Sequence, residues 1–323
     1  MLCLGIESTA HTFGVGICDG RGKVLANVRS FYKPKTGGIH PTEAQNFHLE
    51  KAAEIIEKSL DEAKLKISDI DVFSFSRGPG IPKCLRVGAV SARMLAQKFS
   101  KPIIPVNHCI AHIEIGKIST GLKDPVTLYV SGGNTQILAF AEGRYRVFGE
   151  TQDIGVGNLL DQFARTAGLQ FPGGPEVEKF ALQKKKFIEL PYVVKGMDVS
   201  FSGILTGTEK KLKTEKLEDL CFSLQENVFA MLVETTERAL AHTEKNECLL
   251  TGGVAANKRL AEMLKIMCEE RGAKFAVVPC ELAMDNGAMI AWAGMLEFLM
   301  ERKYSLEETK INRFWRTDDV EIF

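Results

Sequence analysis

Apolar positions at the start of the chain follow a short-period pattern broken by polar turns. Residues 2–7 (Leu-Cys-Leu-Gly-Ile-Glu) read as a strand, Ser8-Thr9-Ala10 as a turn, and Thr12 to Cys18 as a second strand. Asp19-Gly20-Arg21-Gly22 then turns the chain into a third strand, Lys23 to Val28. About 124 residues later the same unit recurs. Thr127 to Val130 is strand-like, Ser131-Gly132-Gly133-Asn134 turns, Thr135 to Phe140 returns, Glu142-Gly143 turns, and Arg144 to Phe148 forms a third strand. The elements that follow also correspond. Helix-period segments at Thr42 to Lys64 and Leu217 to Thr243 each precede a short apolar strand, Asp71 to Phe75 and Cys248 to Leu250. Each strand ends in glycines (Gly78 and Gly80; Gly252-Gly253) and leads to a helix, about Leu85 to Phe99 and about Ala255 to Glu270.

An ordered duplication of meander, helix, strand and helix resembles the actin/Hsp70/sugar-kinase (ASKHA) architecture. That is an α/β fold of two duplicated ribonuclease-H-like lobes around a nucleotide cleft. Glycine-rich hairpins of this kind let backbone amides approach phosphate, and strand-to-helix turns present helix N-termini to anions. The expected division is residues 1–122 for an N-terminal lobe and 123–289 for a C-terminal lobe with an insertion at about 168–218. The last helix, about 290–323, is assigned back to the first lobe.

Composition narrows the class. The 323 residues are 45% hydrophobic and 25% charged, with 41 basic and 41 acidic side chains. Zero net charge excludes an overall basic coat for nucleic acid but leaves room for a local patch. Lys184-Lys185-Lys186 and Lys210-Lys211-Leu212-Lys213, both in the insertion, fit either a solvated face or a phosphate-contacting rim for nucleic acid. No apolar run reaches the roughly 18 residues of a membrane span, and the N-terminus lacks the pattern of a signal peptide. The eight cysteines form no CxxC pair and read as buried reduced thiols of a cytoplasmic protein.

The chemistry begins at Asn107-His108-Cys109-Ile110-Ala111-His112. On a helix His108 and His112 share a face, so the pair suits one metal ion or two separately hydrogen-bonded core histidines. Asp285, in Asp285-Asn286-Gly287-Ala288-Met289, reads as a third ligand or as an N-cap of the last long helix.

These two motifs occur in order with Tyr129-Val130-Ser131-Gly132-Gly133-Asn134-Thr135 and Gly253-Val254-Ala255-Ala256-Asn257. Phe171-Pro172-Gly173-Gly174-Pro175, Lys195-Gly196-Met197-Asp198 and Ser200-Phe201-Ser202-Gly203 complete the set. Together they resemble, over essentially the whole chain, the tRNA threonylcarbamoyladenosine transferase family. This is the TsaD-like catalytic subunit in its archaeal and eukaryotic form, a member of the KEOPS complex, formerly called O-sialoglycoprotein endopeptidase. The resemblance implies that His108, His112 and Asp285 hold iron or zinc, with Tyr129 as an extra metal-proximal phenol. It implies that Tyr129, Val130, Ser131, Gly132 and Gly133 lie over a bound adenylate. Asp161, Gly174, Glu178 and Asn257 are the remaining implied nucleotide contacts. The implied ligand is threonylcarbamoyl-AMP, or ATP or AMP, and the implied reaction moves the threonylcarbamoyl group to an adenosine next to a tRNA anticodon. Implied partners are tRNA, a small atypical kinase and a Pcc-type dimerising subunit.

The chain departs from the family pattern at Ser8, at Ile81-Pro82-Lys83, at Lys258, and at Phe47-His48, where two adjacent histidines are common. None touches the three metal positions. A zincin-type protease needs Glu directly after the first histidine, where this chain has Cys109. Two rival functions would suit the same fold: a small-molecule kinase or ATPase, and a non-catalytic scaffold.

Overall fold

Residues 3–7 and 12–18 are buried at every position, the pattern of strands covered on both faces. In the computed structural model, which describes residues 1–34 and 38–320, they belong to β1 (Leu2–Glu7) and β2 (Thr12–Asp19). The chain continues through β3 (Val24–Phe31), α1 (Pro41–Ala63), β4 (Val72–Gly78), α2 (Pro82–Phe99), β5 (Ile103–Asn107) and α3 (His108–Thr120). Next come β6 (Val126–Val130), β7 (Thr135–Ala141), β8 (Arg144–Glu150), α4 (Val156–Thr166) and α5 (Gly173–Ala181). Short β9 (Val194–Lys195) and β10 (Asp198–Val199) precede α6 (Ser202–Lys211) and α7 (Leu217–Thr243). The chain then forms β11 (Glu247–Thr251), α8 (Lys258–Arg271), β12 (Lys274–Val277), α9 (Cys280–Ala283) and α10 (Gly287–Leu299).

The chain divides into two units. One comprises Met1–Ile118, Glu142–Tyr145 and the residues from Met284 onward; the other comprises Ser119–Ala141 and Arg146–Ala283. The two five-stranded sheets have the orders β3-β2-β1-β4-β5 and β12-β11-β6-β7-β8. Reversing the second gives the first position for position, so the duplication read from the sequence is a duplication of topology. In each sheet an antiparallel meander is joined to parallel strands (β1 with β4, β6 with β11).

Three glycines decide how α10 sits on the first sheet. A Cβ at Gly5 would stand 2.1 Å from Ala291 N, one at Gly16 2.2 Å from Ala288 N, and one at Gly287 2.1 Å from Gly16 N. The helix therefore packs backbone to backbone against β1 and β2, and the Cys18 thiol reaches Ala288 O. α10 ends at Leu299, short of the helix expected over about 290–323. The apolar run stops there, Glu301 takes a left-handed φ of 59°, and charged residues follow. Residues 321–323 of that expectation lie outside the described residues. α8 begins at Lys258 instead of about Ala255, because Gly253–Ala256 forms a 3-10 turn and Asn257 caps the helix. Among the described residues no helix is long and apolar enough to cross a membrane.

Candidate functional site

α3 leaves β5 without a loop. Asn107 Oδ1 accepts the N–H groups of Cys109 (3.0 Å) and Ile110 (3.3 Å), so the residue before His108 caps the helix. This fixes His108 in the first helical position and stacks His112 one turn on, their rings edge to face at 4.7 Å. Asp285 is not the cap of α10. That role falls to Asn286, whose side chain accepts Met289 N–H (3.0 Å) and donates to Met284 O (2.7 Å). Asn286→Ala is expected to lower stability by about 1 kcal/mol, measured as a shift in the denaturant midpoint.

Freed from capping, Asp285 Oδ1 faces His108 Nε2 at 3.5 Å and His112 Nε2 at 3.4 Å. His108, His112 and Asp285 each offer one ligand atom, and these atoms lie within 4.8 Å of one another. Donors bonded at about 2.0–2.2 Å in a tetrahedral shell are about 3.3–3.6 Å apart, the range in which both His–Asp distances fall. The other nitrogen of His108 is also held. Nδ1 lies 3.0 Å from Glu7 Oε2, while Glu7 Oε1 accepts Thr9 N (2.6 Å) and Thr9 Oγ1 (2.5 Å). A carboxylate on one ring nitrogen leaves the other as the ligand and makes it more basic. Glu7 is a buttress of His108 that the sequence does not single out, because only the approach of β1 to α3 shows what it meets.

Burial opposes protonation of His108, but the Glu7 and Asp285 carboxylates outweigh it and lift the imidazole to about 9. Burial moves His112 the other way, and the charge on His108 adds to that. Burial would raise the half-buried Asp285, but His108 and His112 hold it below the usual carboxylate range. Without metal, then, His108 carries the proton. Its pKa is raised from 6.5, so the stability it contributes is complete below pH 6.5 and lost as pH rises through about 9. Metal-free protein is expected to show a falling melting temperature between pH 6.5 and about 9, and Glu7→Gln to flatten that fall.

His48 is not part of this donor set among the described residues. It is buried in α1 with its ring 5.5 Å from Phe13, and burial pushes its pKa down to about 4, as for a neutral core histidine.

The remaining sequence-derived positions fall in the second unit. Tyr129 and Val130 are buried at the end of β6, and Ser131, Gly132 and Gly133 form its hairpin turn. The turn is fixed from below by the start of α4. Gly157 N donates to Ser131 O (3.1 Å) and Asn158 N to Gly132 O (2.9 Å), and a Cβ on Gly155 would stand 2.5 Å from Gly132 O. Gly252, at φ 96°, presses on Val130, where a Cβ would meet the carbonyl at 2.2 Å. The hairpin and the Gly252–Asn257 loop are thus neighbours. Asp161 Oδ1 accepts Gly173 N (2.7 Å) and sets the start of α5. Glu178 Oε1 accepts Lys258 N (2.8 Å). Asn257 caps α8 and donates to Gln225 Oε1 (3.1 Å). A groove of about 780 Å³ opens beside Glu178, with Gln225, Lys258 and Phe222 in its wall. The two lysine clusters divide: Lys186 pairs with Glu215, Lys184 Nζ lies 3.4 Å from the Phe222 ring centroid, and Lys210 and Lys211 close the last turn of α6.

Two sheets of identical order, each a meander extended by parallel strands, define the ASKHA class. Solved structures agree. HypF from T. kodakarensis aligns with a TM-score of 0.65 over 95% of this chain and 49% of its own, at 14% identity. An activator of 2-hydroxyisocaproyl-CoA dehydratase from Clostridium difficile aligns at 0.54, covering 94% of this chain and 99% of its own at 13% identity. At such identity these likenesses speak for the fold alone. The family model described as TsaD, tRNA N6-adenosine threonylcarbamoyltransferase, matches residues 23–292. A protein named tRNA N6-adenosine threonylcarbamoyltransferase from Thermococcus sibiricus is 57% identical over all of this chain and 99% of its own length. A "probable bifunctional tRNA threonylcarbamoyladenosine biosynthesis protein" from Methanothermobacter thermautotrophicus is 54% identical over all of this chain and 60% of its own. The chain belongs to the tRNA N6-adenosine threonylcarbamoyltransferase family and is a transferase that acts on tRNA.

Proposed function

We propose that this transferase moves the threonylcarbamoyl group from threonylcarbamoyl-AMP to the exocyclic amine of adenosine 37 in ANN-decoding tRNAs, as the metal-dependent catalytic subunit of a KEOPS complex. The observation that carries the reading is the convergence of His108 Nε2 and His112 Nε2 on Asp285 Oδ1 in a chain of this family. These three residues would hold iron or zinc, and nitrogen and carboxylate donors suit either. Held there, such an ion would supply Lewis acidity toward the acyl group that is transferred.

The protein's own part is binding and orientation. The hairpin Tyr129–Gly133 offers backbone to the adenylate, and Asp161, Gly174, Glu178 and Asn257 line its nucleotide subsite. The adenosine N6 attacks the carbamoyl carbon, a C–N bond forms, the C–O bond to phosphate breaks, and AMP leaves with that electron pair while N6 loses a proton. Phosphate is a good leaving group, so no covalent enzyme intermediate is needed. The buried cysteines agree, since burial pushes Cys3 and Cys109 up to about 12, far from a reactive thiolate. Buried free thiols also suit the reducing cytoplasm, where the enzyme acts with a small kinase and a Pcc-type subunit.

The test is a single-turnover assay with labelled threonylcarbamoyl-AMP, tRNA and purified protein, alone and with the partner subunits. Label on adenosine 37 with stoichiometric AMP release is the expected result. ATP-dependent phosphorylation of a small molecule with no label on tRNA would replace this reading with a kinase.

A further inference from the structure

After α10 the chain returns across the first unit as a strap whose backbone is pinned at several points. Arg93 Nε donates to Thr309 Oγ1 (2.9 Å), Arg77 Nε to Lys310 O (2.8 Å), Asn312 N to Arg77 O (2.9 Å) and Gly80 N to Arg313 O (3.3 Å). The fit at β4 is tight, for a Cβ on Gly78 would stand 1.9 Å from Asn312 O. Asn107 Nδ2 donates to Trp315 O (3.3 Å), so the residue that caps the metal-bearing helix also anchors the strap.

On this fixed backbone two adjacent rings, Phe314 and Trp315, are each met by a guanidinium, one from the strap and one from β4. The Arg313 guanidinium lies 4.2 Å from the Phe314 ring centroid, and Arg77 lies 4.6 Å from that of Trp315. Phe314 is 72% exposed although its backbone is held, with Phe314 N donating to Asn312 Oδ1 (3.2 Å). A lone exposed phenylalanine is ordinary. One presented on a pinned turn with a guanidinium stacked against it is a platform for a nucleobase with a phosphate partner at its edge. Lys310 is paired with Glu307, and Arg316 with Asp318. Arg313 keeps its guanidinium on the exposed Phe314 ring, while Arg77, half-buried on β4 with its Nε on Lys310 O, stacks on Trp315.

We infer that the Arg313-Phe314-Trp315 strip, backed by Arg77, is a docking surface for the single-stranded anticodon loop of the substrate tRNA, with one loop base stacked on Phe314 and a backbone phosphate on Arg313. The inference rests on the transferase reading and deepens it. A chain with 41 basic and 41 acidic residues must grip RNA through a local patch, and this patch adjoins the helix that starts at His108. Loop bases are the ones a protein can splay out and stack on aromatic rings.

The test is fluorescence anisotropy of a labelled anticodon stem-loop against the full chain at two salt concentrations. The variants are Phe314→Ala, Phe314→Trp and Arg313→Gln, with Lys245→Ala on the other unit as control. Expected results are roughly 10-fold weaker binding for Phe314→Ala, recovery with Phe314→Trp, and a salt slope smaller by about 0.7 for Arg313→Gln. Melting temperature and metal content of each variant separate loss of contact from loss of fold. Wild-type protein that does not bind the stem-loop, or variants that bind it as wild type does, would overturn the inference; in the second case the strip is left to a protein partner. Neither result touches the transferase reading, which the labelled transfer assay decides independently.

Discussion

His108→Ala is expected to abolish metal retention and transfer together. Wild-type protein should carry about one iron or zinc per chain and the variant less than about a tenth, with transfer to tRNA reduced by at least about 100-fold. The size follows from the geometry. His108 and His112 both aim Nε2 at Asp285 Oδ1, so removing one leaves two donors, and two do not retain a transition metal against buffer. Glu7→Gln separates ligand from support. Its amide can keep a contact with His108 Nδ1 but loses the charge, so metal affinity should fall about 10- to 100-fold while saturating metal restores transfer. Elemental analysis and titration of the apo-protein read both effects. Full transfer by metal-free wild type would remove the ion from the reaction and leave the triad a structural one.

Gly16→Val should be strongly destabilising. The first side-chain carbon alone would lie 2.2 Å from Ala288 N and 2.5 Å from Ala288 Cα, both backbone atoms of a buried helix that cannot swing aside. A loss of about 3 kcal/mol or more is expected, or failure to fold. Gly203→Ala is the contrasting case, since a Cβ there has nothing within 4 Å and the site lies in α6. It should be neutral or stabilising by up to about 1 kcal/mol. Urea denaturation of the two variants beside wild type measures the difference. A Gly16→Val protein with an unchanged midpoint would mean that α10 does not pack backbone to backbone on β2.

Much of this architecture is legible in the sequence because local patterns and global fold agree. The meanders announce themselves by alternation and glycine turns, and the long helices α1 and α7 by their period. The His108–His112 pair is read from helical spacing alone. Other features depend on what the chain meets after folding. Asp285 and Asn286 are both good caps by residue type, and only the seat of α10 on the β1–β2 hairpin shows that Asn286 caps and Asp285 faces the histidines. Glu7 ends an ordinary strand until α3 approaches it. Asp161, Glu178 and Asn257 each hold backbone as well as occupying sequence-derived positions, so spacing cannot separate support from contact. The strap after Leu299 escapes a periodicity reading altogether. Its order comes from hydrogen bonds to β4, α2 and Asn107, not from a repeat of its own.

The placement of α10 also bears on how the protein is made. Cys18 and Ala288 touch although 270 residues separate them, and Asp285 sits just ahead of that contact. On the ribosome, β1 and β2 emerge some 270 residues ahead of the helix that covers them. Until then the sheet lacks its cover and the two histidines lack their carboxylate. A nascent chain that has not reached Asp285 lacks the third donor, so any ion the triad holds would be captured only after that residue is made.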